Sequence, residues 1–295
     1  MENKQQVTVI GGGLAGCEAA WQLAQAGYAV FLYEMKPEQY TPAHHYTGLA
    51  ELVCSNSLKA DRLASAAGLL KAEMERLGSL LIPCARATAV AAGGALAVDR
   101  HRFSDLVTEH IQNHPNITII QERVTALPKR CAVIATGPLT DGALAEDLER
   151  QCGKRLSFFD AAAPIVSYES LDPEKIFFAA RYDRGDADYI NCPMDQETYT
   201  AFYQALIAAE RAPLHDCDKE FFRVYEGCMP IEVLASRGED TMRFGPLKPV
   251  GLRDPKTGHR PYAVVQLRRE NQSGSLYNLV GFQTNLKFPE QRRGF

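Results

Sequence analysis

Short apolar runs alternate with helical segments in the first part of this chain. Residues Gln6–Ile10 form an apolar run of strand length, and Ala29–Glu34 form a second one. Between them, Leu14–Ala26 carries apolar residues at helical spacing. A strand, a helix and a strand in direct succession are typical of a parallel βαβ unit. The pattern therefore predicts an α/β domain.

Two amphipathic stretches and two further apolar runs follow. Residues 63–81 and 100–113 have apolar positions near helical spacing, which predicts two helices that each turn one side to the core. These positions are Leu63, Leu69, Leu70, Met74, Leu77 and Leu81 in the first stretch, and Phe103, Leu106, Val107, His110 and Ile111 in the second. Ile117–Ile120 and Ala132–Ala135 are predicted strands. The crossover rule for parallel sheets places Ala132–Ala135 beside the first strand.

The pattern changes beyond about residue 151. One helix, Gln196–Ala209, is surrounded by predicted strands, which is typical of an α+β arrangement. The strands are Pro164–Tyr168, Lys175–Arg181, Tyr262–Leu267 and Leu276–Gln283. A chain of 295 residues is long enough for two cores. We therefore predict two domains, residues 1–150 and 151–295.

The turn after the first strand contains the spacing Gly11-x-Gly13-x-x-Gly16. In dinucleotide-binding folds the first glycine permits a tight turn, the second lets backbone N–H groups approach a pyrophosphate, and the third lets the helix pack on the strand. Glu34 ends the second strand, where a carboxylate can accept hydrogen bonds from ribose hydroxyls and would repel a 2′-phosphate. The motif thus favours FAD or NAD over NADP, although glycine-rich turns also occur for packing reasons alone.

Composition narrows the class of protein. The chain is 46% hydrophobic and 23% charged, which is ordinary for a globular protein. It has no apolar run near the ~20 residues of a membrane span and no apolar signal segment, so the cytoplasm is the expected location. The eight cysteines show neither C-x-x-C pairs nor zinc spacing, so neither a disulfide scaffold nor a metal site is expected.

The formal charge of −4 is unevenly distributed. Residues 243–295 contain ten Lys and Arg against three acidic residues, a net +7, which leaves −11 for residues 1–242. The basic residues are Arg243, Lys248, Arg253, Lys256, Arg260, Arg268, Arg269, Lys287, Arg292 and Arg293. Such a segment is either a solvated basic face or a surface that contacts a polyanion such as nucleic acid.

Two cysteines lie in polar, loop-like surroundings. Cys54 is followed by Ser55-Asn56-Ser57, and Cys228 stands between glycine and a Met-Pro pair with Arg237 and Arg243 close in sequence. Cationic neighbours favour the thiolate, the reactive form of cysteine. A small buried hydrophobe is the commoner role of a cysteine, and we expect it for the other six. These six are Cys17, Cys84, Cys131, Cys152, Cys192 and Cys217.

Five segments of the chain together are characteristic of one family: VIGGGLAGCEAAWQLAQAGYAVFLYEMKP, LVCSNSLKAD, GGALAVDRHRFS, AVIATGPLT and EGCMPIEVLASRGEDTMRFGPLKPVGL. In these segments, and in order through essentially all 295 residues, the sequence resembles the TrmFO family of folate- and FAD-dependent tRNA (uracil-5-)-methyltransferases. This resemblance implies a bacterial cytoplasmic flavoenzyme that makes 5-methyluridine in the T-loop of tRNA. The implied one-carbon donor is 5,10-methylenetetrahydrofolate, and the implied reductant is NAD(P)H.

The resemblance also implies roles for particular residues. Cys228, in the motif EGC-x-PIE, would be the nucleophile that attacks the uracil ring. Cys54, in the motif CSNSL, would act at the flavin, either by holding a methylene adduct or by protecting the nucleophile. The expected FAD-binding residues are Gly11, Gly12, Gly13, Leu14, Ala15, Gly16, Glu34, Val124, Thr136 and Gly137. The implied fold is a Rossmann-like FAD-binding domain with an inserted α+β domain.

One departure from the family concerns length. Members of the family continue beyond the segment that matches NLVGFQTNLKFPEQRR, so we expect the C-terminal segment that returns to the first domain to be missing here. Two alternatives remain at this point. One is an inactive flavin- or tRNA-binding remnant of the same family. The other is the related flavoprotein that installs carboxymethylaminomethyl groups on wobble uridine, in which CSNSL and EGCMPIE are not expected together.

Overall fold

A computed structural model describes residues 5–153, 163–183, 186–212 and 229–294. The chain divides into two compact units. Unit 1 contains residues 1–53, 59–89 and 98–158, and unit 2 contains residues 54–58, 90–97 and 159–295. The single boundary predicted at residue 150 did not anticipate the two short segments, Cys54–Leu58 and Val90–Ala97, that belong to unit 2.

Unit 1 is built on a parallel sheet. Its strands are β1 (Gln6–Ile10), β2 (Ala29–Glu34), β6 (Ile117–Gln121) and β7 (Ala132–Ile134), in the order β6-β2-β1-β7. Both neighbours of β1 are parallel to it, with Val9 opposite Leu32 of β2 and Val133 of β7. The predicted position of residues 132–135 beside the first strand is therefore confirmed. Val9, Val30 and Leu32 are almost fully buried and form part of the core of this unit.

The helices of unit 1 are α1 (Leu14–Gln25), α2 (Ala66–Arg76), α3 (Leu81–Ala87), α4 (Arg100–Asn113) and α5 (Gly142–Cys152). Helix α4 is a core helix as predicted, because Phe103, Val107 and Ile111 are fully buried. Its N-cap is Asp99, whose carboxylate accepts a hydrogen bond from the Arg102 N–H at 3.3 Å.

The predicted single core helix over residues 63–81 is wrong in two respects. The stretch divides into α2 and α3 at Gly78, which has a positive φ of 80°. Four of its leucines, Leu63, Leu69, Leu70 and Leu77, are between 48% and 76% exposed. The buried positions of the stretch are Gly68 and Lys71 in α2 and Ser79, Leu80 and Leu81 at its C-terminal end. Helical spacing alone predicted burial here, but the face it defines lies on the surface.

Unit 2 contains a five-stranded antiparallel sheet. Its strands are β8 (Ile165–Ser167), β9 (Phe177–Phe178), β10 (Ile190–Met194), β11 (Ala263–Arg269) and β12 (Leu276–Leu279), in the order β8-β12-β11-β10-β9. Strand β10 was not predicted, because it contains Asn191 and Pro193. Pro193 is tolerated because β9 pairs only with Ile190 and Asn191, so the proline lies beyond the end of that neighbour.

Helices cover the core of unit 2. They are α6 (Gln196–Ala208), α7 (Ile231–Ala235), α8 (Glu239–Phe244) and α9 (Phe288–Gly294). Tyr199 and Leu206 of α6, Ile231 of α7 and Met242 of α8 pack into one cluster with Leu267 of β11. The unit is thus the α+β arrangement that the sequence predicted.

Three short strands form a separate sheet in the order β3 (Ser57–Ala60), β5 (Ala95–Val98), β4 (Ala89–Val90). In the part of the chain that the structure describes, no helix is both long enough and apolar enough to cross a membrane.

Candidate nucleotide site and cysteine segments

The glycine turn closes tightly after β1. Gly11 has a φ of 99°, a conformation that favours glycine, and its N–H donates to the Tyr33 carbonyl at 2.8 Å. A Cβ at this position would lie 2.5 Å from the Ala135 carbonyl oxygen and 2.9 Å from the Thr136 Cα. Gly11 therefore brings the ends of β1 and β7 into direct contact.

Glu34 meets the turn from the end of β2. Its Oε2 accepts a hydrogen bond from the Gly12 N–H at 2.7 Å, and its Oε1 accepts one from the Lys36 N–H at 2.9 Å. These two bonds fix the carboxylate against the turn. Each carboxylate oxygen has a second lone pair, so Glu34 can still accept from ribose hydroxyls.

The N-terminus of α1 is open for an anion. Gly13 is the N-cap, no side chain caps the first turn, and the first turn contains no acidic residue. A Cβ on Gly13 would meet no atom within 4 Å, whereas a Cβ on Gly16 would lie 1.8 Å from the Gly11 carbonyl oxygen. Gly16 is thus required by packing, while Gly13 borders free space. Leu14 and Ala15 follow as the first two helical residues, where backbone N–H groups point outward from a helix.

The remaining predicted FAD-binding residues lie in loops at the same ends of the parallel strands. Thr136 and Gly137 follow β7, and Thr140 Oγ1 donates to Thr136 Oγ1 at 2.7 Å. Val124 is half-buried in the loop after β6. The Glu122 N–H in that loop donates to the Glu34 carbonyl at 3.0 Å, which ties the loop to the end of β2. In unit 1 these residues therefore lie in the loops that follow parallel strands β6 and β7, at the strand ends where nucleotides bind in open α/β sheets.

Sequence reasoning missed the residues that order the loop after β2. The Lys36 ammonium is buried and donates to the carbonyls of Tyr46 and Gly48 and to the Glu51 carboxylate at 3.3 Å. Glu51 also accepts from the N–H groups of His45 and Tyr46. No sequence motif marks a lysine two residues after a strand, so the role of Lys36 in ordering this loop is recognised only from its burial in the structure.

Replacing Glu34 by alanine is expected to weaken FAD binding about tenfold or more, because the ribose acceptor is lost and the Gly12 and Lys36 N–H groups lose theirs. Flavin fluorescence titration measures the affinity, and thermal unfolding measures the accompanying loss of stability. Exposed Glu38, four residues along, is the matched control. Equal FAD affinities for Glu34→Ala and Glu38→Ala would show that Glu34 does not contact the ligand.

The CSNSL segment belongs to unit 2. Cys54 is half-buried, and Asn56, two residues further along the chain, is fully buried. Asn56 Nδ2 donates to the Arg269 carbonyl at 2.9 Å, and Arg268 Nη2 donates to Ser55 Oγ at 2.9 Å. The segment after the cysteine is therefore held against β11. This anchoring by β11 could not be read from the sequence, since about 210 residues separate the two.

Cys228 lies outside the described residues, but the residues that follow it in the same motif are described. Met229 and Ile231 are buried, and the Glu232 carboxylate is fully buried at the start of α7. Thr284 Oγ1 donates to Glu232 Oε2 at 3.0 Å, and the Asn285 N–H donates to Oε1 at 2.8 Å. Both carboxylate oxygens are thus paired, which explains an acidic residue in this core.

The other cysteines fall into two groups. Burial raises the pKa of Cys17 to about 12, and it raises the pKa of Cys84 and of Cys192 to about 11. The expectation of burial is wrong for Cys131 and Cys152, which are exposed in a loop and at the end of α5. Cys217 lies outside the described residues.

Iodoacetamide at pH 8 is therefore expected to modify Cys131 and Cys152 in the native protein and to leave Cys17, Cys84 and Cys192 unmodified until unfolding. The thiolate reacts, and a pKa raised to 11 or above leaves less than about 1% thiolate at this pH. Mass spectrometry of peptides measures each site. Modification of Cys17 as fast as Cys131 would contradict this assignment.

Among the described residues, no group of three or more His, Cys, Asp or Glu side chains could hold a metal ion.

Comparison with known proteins identifies the family of this chain. The family model described as "Glucose inhibited division protein A" matches residues 6–295. A protein of Shouchella clausii (strain KSM-K16), named methylenetetrahydrofolate--tRNA-(uracil-5-)-methyltransferase TrmFO, is 59% identical over 293 residues, which is 99% of this chain and 67% of the relative. A protein of the same name from Geobacter sulfurreducens is 59% identical over 291 residues, with 98% and 67% covered. The chain thus spans about two thirds of the length of these relatives.

Solved structures show the same fold. The form II crystal structure of Aquifex aeolicus GidA has a TM-score of 0.66 at 14% identity, over 99% of this chain and 52% of that one. The form I crystal gives a TM-score of 0.61. Unit 1 accordingly has the Rossmann-like architecture that the sequence predicted. The chain belongs to the glucose inhibited division protein A family, and within it to the TrmFO proteins.

Proposed function

We propose that this protein methylates carbon 5 of the T-loop uridine in tRNA, with 5,10-methylenetetrahydrofolate as the one-carbon donor and NAD(P)H as the reductant. The observation that carries the proposal is the 59% identity, over 99% of this chain, to relatives named for that reaction. Both cysteine motifs fall within the matched residues. The likeness to Aquifex GidA, at 14% identity, concerns the fold alone and does not favour the wobble-uridine alternative.

The chemistry explains why a cysteine is needed. Carbon 5 of uracil is a poor nucleophile until a thiolate adds to carbon 6 and makes carbon 5 electron-rich. We assign that thiolate to Cys228. Carbon 5 then bonds to the folate methylene carbon and loses its proton, tetrahydrofolate leaves, a hydride completes the methyl group, and the sulfur–carbon 6 bond breaks to restore the ring.

The residues of unit 1 suit FAD as the source of that hydride. FAD, when bound and reduced by NAD(P)H, supplies the two electrons that convert a methylene to a methyl group. Gly13, Leu14 and Ala15 would hold the pyrophosphate through backbone N–H groups, and Glu34 would hold the adenosine ribose. Thr136, Gly137 and Val124 would border the same ligand. Cys54 would act near the flavin.

The basic segment supports tRNA as the partner. Seven of its ten Lys and Arg residues are exposed, and phosphate contacts from such side chains supply most non-specific affinity for nucleic acid. The exposed ones are Lys248, Arg253, Lys256, Arg260, Lys287, Arg292 and Arg293. Several also pair with nearby acids, as Lys287 does with Glu210 at 2.6 Å. A tRNA substrate places the enzyme in the cytoplasm.

The proposal is tested by incubating the purified protein with FAD, NADPH, methylenetetrahydrofolate and an unmodified tRNA transcript. We expect 5-methyluridine in the nucleoside digest, and none from a transcript whose T-loop uridine is replaced by cytidine. The full-length Shouchella clausii relative serves as positive control. If the control methylates and this protein, loaded with FAD, does not, an inactive member of the family is the correct description.

A further inference from the structure

A buried arginine lies against the segment that carries Cys54. Arg268, near the end of β11, is only 7% exposed. Its Nε donates to Asn56 Oδ1 at 3.0 Å, and its Nη2 donates to Ser55 Oγ at 2.9 Å. One guanidinium therefore contacts the first and second residues after the cysteine, and all of these residues belong to unit 2.

The contact is reciprocal. Asn56 accepts from Arg268 and at the same time donates to the carbonyl of Arg269, the next residue of β11, at 2.9 Å. The Ser57 N–H donates to Ser55 Oγ at 3.2 Å, which turns the segment back on itself. Two adjacent residues of the segment are thereby fixed to two adjacent residues of one strand. These hydrogen bonds restrict the conformation of the segment, so Cys54, which precedes Ser55, has little freedom to move.

The choice of an arginine is informative. Burying a guanidinium costs desolvation free energy, and replacement of buried charged networks by apolar residues is often neutral or stabilising. Apolar packing would anchor a loop at a lower cost in desolvation free energy, so anchoring alone does not account for an arginine at this position. The planar fork of arginine instead holds two acceptors at a fixed spacing, which lysine cannot reproduce.

We propose that Arg268 is a positioning residue for Cys54, and that it sets the location of the thiol through Ser55 and Asn56. The catalytic meaning of that location rests on the proposed function. Arg268 holds the half-buried thiol in place through Ser55 and Asn56 whether or not the protein methylates tRNA.

The test is the rate of Cys54 modification by iodoacetamide, followed by peptide mass spectrometry in the full chain. Arg268→Gln is expected to raise the rate about fivefold, since the segment loosens and the half-buried thiol becomes accessible. The double variant Ser55→Ala, Asn56→Ala is expected to raise it similarly. When Arg268→Gln is added to that double variant, no further increase is expected, because Arg268 acts through those two residues.

Two controls separate positioning from loss of structure. Arg269→Gln, at the neighbouring half-buried position, keeps the backbone carbonyl and is expected to leave the Cys54 rate within about twofold of the native value. Cys192 on β10 reports on the rest of unit 2. It should stay unmodified in every variant. The proposal would be overturned if Cys54 were modified at equal rates in Arg268→Gln and Arg269→Gln. It would also be overturned if adding Arg268→Gln to the Ser55→Ala, Asn56→Ala variant raised the Cys54 rate by the same factor as in the native protein. Modification of Cys192 in parallel with Cys54 would overturn it as well.

The milder variant Ser55→Ala covers the case in which Arg268→Gln does not fold. It removes one acceptor and leaves the guanidinium bonded to Asn56, so a smaller acceleration at Cys54 with an unchanged melting temperature is expected. A native rate in this folded variant and in Asn56→Ala would also overturn the proposal. If the positional results hold while the protein fails to methylate tRNA, only the proposed function falls.

Discussion

Replacing Cys228 by alanine is expected to abolish the covalent complex between this protein and tRNA that contains 5-fluorouracil. The thiolate adds to carbon 6 of the ring, and fluorine at carbon 5 cannot leave as a proton does, so the adduct accumulates in the native enzyme. Methylation of ordinary tRNA should fall by about a thousandfold or more, as for other lost nucleophiles. Denaturing gel electrophoresis detects the adduct by its reduced mobility.

Alanine variants of two other cysteines serve as controls for this experiment. Cys131→Ala, at an exposed position of unit 1, should form the adduct at the native rate. Cys54→Ala should alter the reactivity of the flavin more than adduct formation. An adduct that persists in Cys228→Ala and disappears in Cys54→Ala would exchange the two roles.

A pair of glycine substitutions is expected to separate packing from ligand contact in the FAD site. Gly16→Ala places a Cβ 1.8 Å from the Gly11 carbonyl oxygen, so the turn must move, at a cost of about 3 kcal/mol, and FAD binding should be lost with it. Gly13→Ala meets no atom within 4 Å and has an ordinary φ of −73°. Its fold should remain intact, while FAD affinity falls at least about tenfold because the methyl group occupies the path to the pyrophosphate.

Thermal unfolding and flavin titration of both variants measure these effects. The informative case is Gly13→Ala, since it keeps every protein contact. Native FAD affinity in that variant would mean that the pyrophosphate does not approach the N-terminus of α1.

The sequence predicted the parts of the fold that local rules determine. The β1-α1-β2 unit follows from periodicity and glycine spacing, and the crossover rule placed β7 correctly beside β1. The predicted strands and helix α6 of unit 2 are also found, whereas β10 and the helices α7, α8 and α9 were not predicted. The sequence pattern did not predict β10 because it contains Asn191 and Pro193. The proline is tolerated because the neighbouring strand β9 pairs only with Ile190 and Asn191.

Other features depend on contacts that local patterns do not contain. Leu69 and Leu70 have the spacing of a core helix, yet they face outward, because periodicity defines a face without saying what covers it. Cys131 and Cys152 were expected to be buried on the general preference of cysteine, and both are exposed. Arg268 was counted as part of a basic segment, but it is buried against Asn56, 212 residues away.

The origin of the new methyl group is the central feature of the proposed reaction. The direct measurement uses methylenetetrahydrofolate with two deuterium atoms on the methylene carbon, unlabelled NADPH, FAD and a tRNA transcript, followed by mass spectrometry of the nucleosides. We predict 5-methyluridine that retains both deuterium atoms and gains its third hydrogen from an unlabelled source. A product without deuterium, or tRNA that remains unmodified under conditions in which the Shouchella clausii relative is active, would contradict the account.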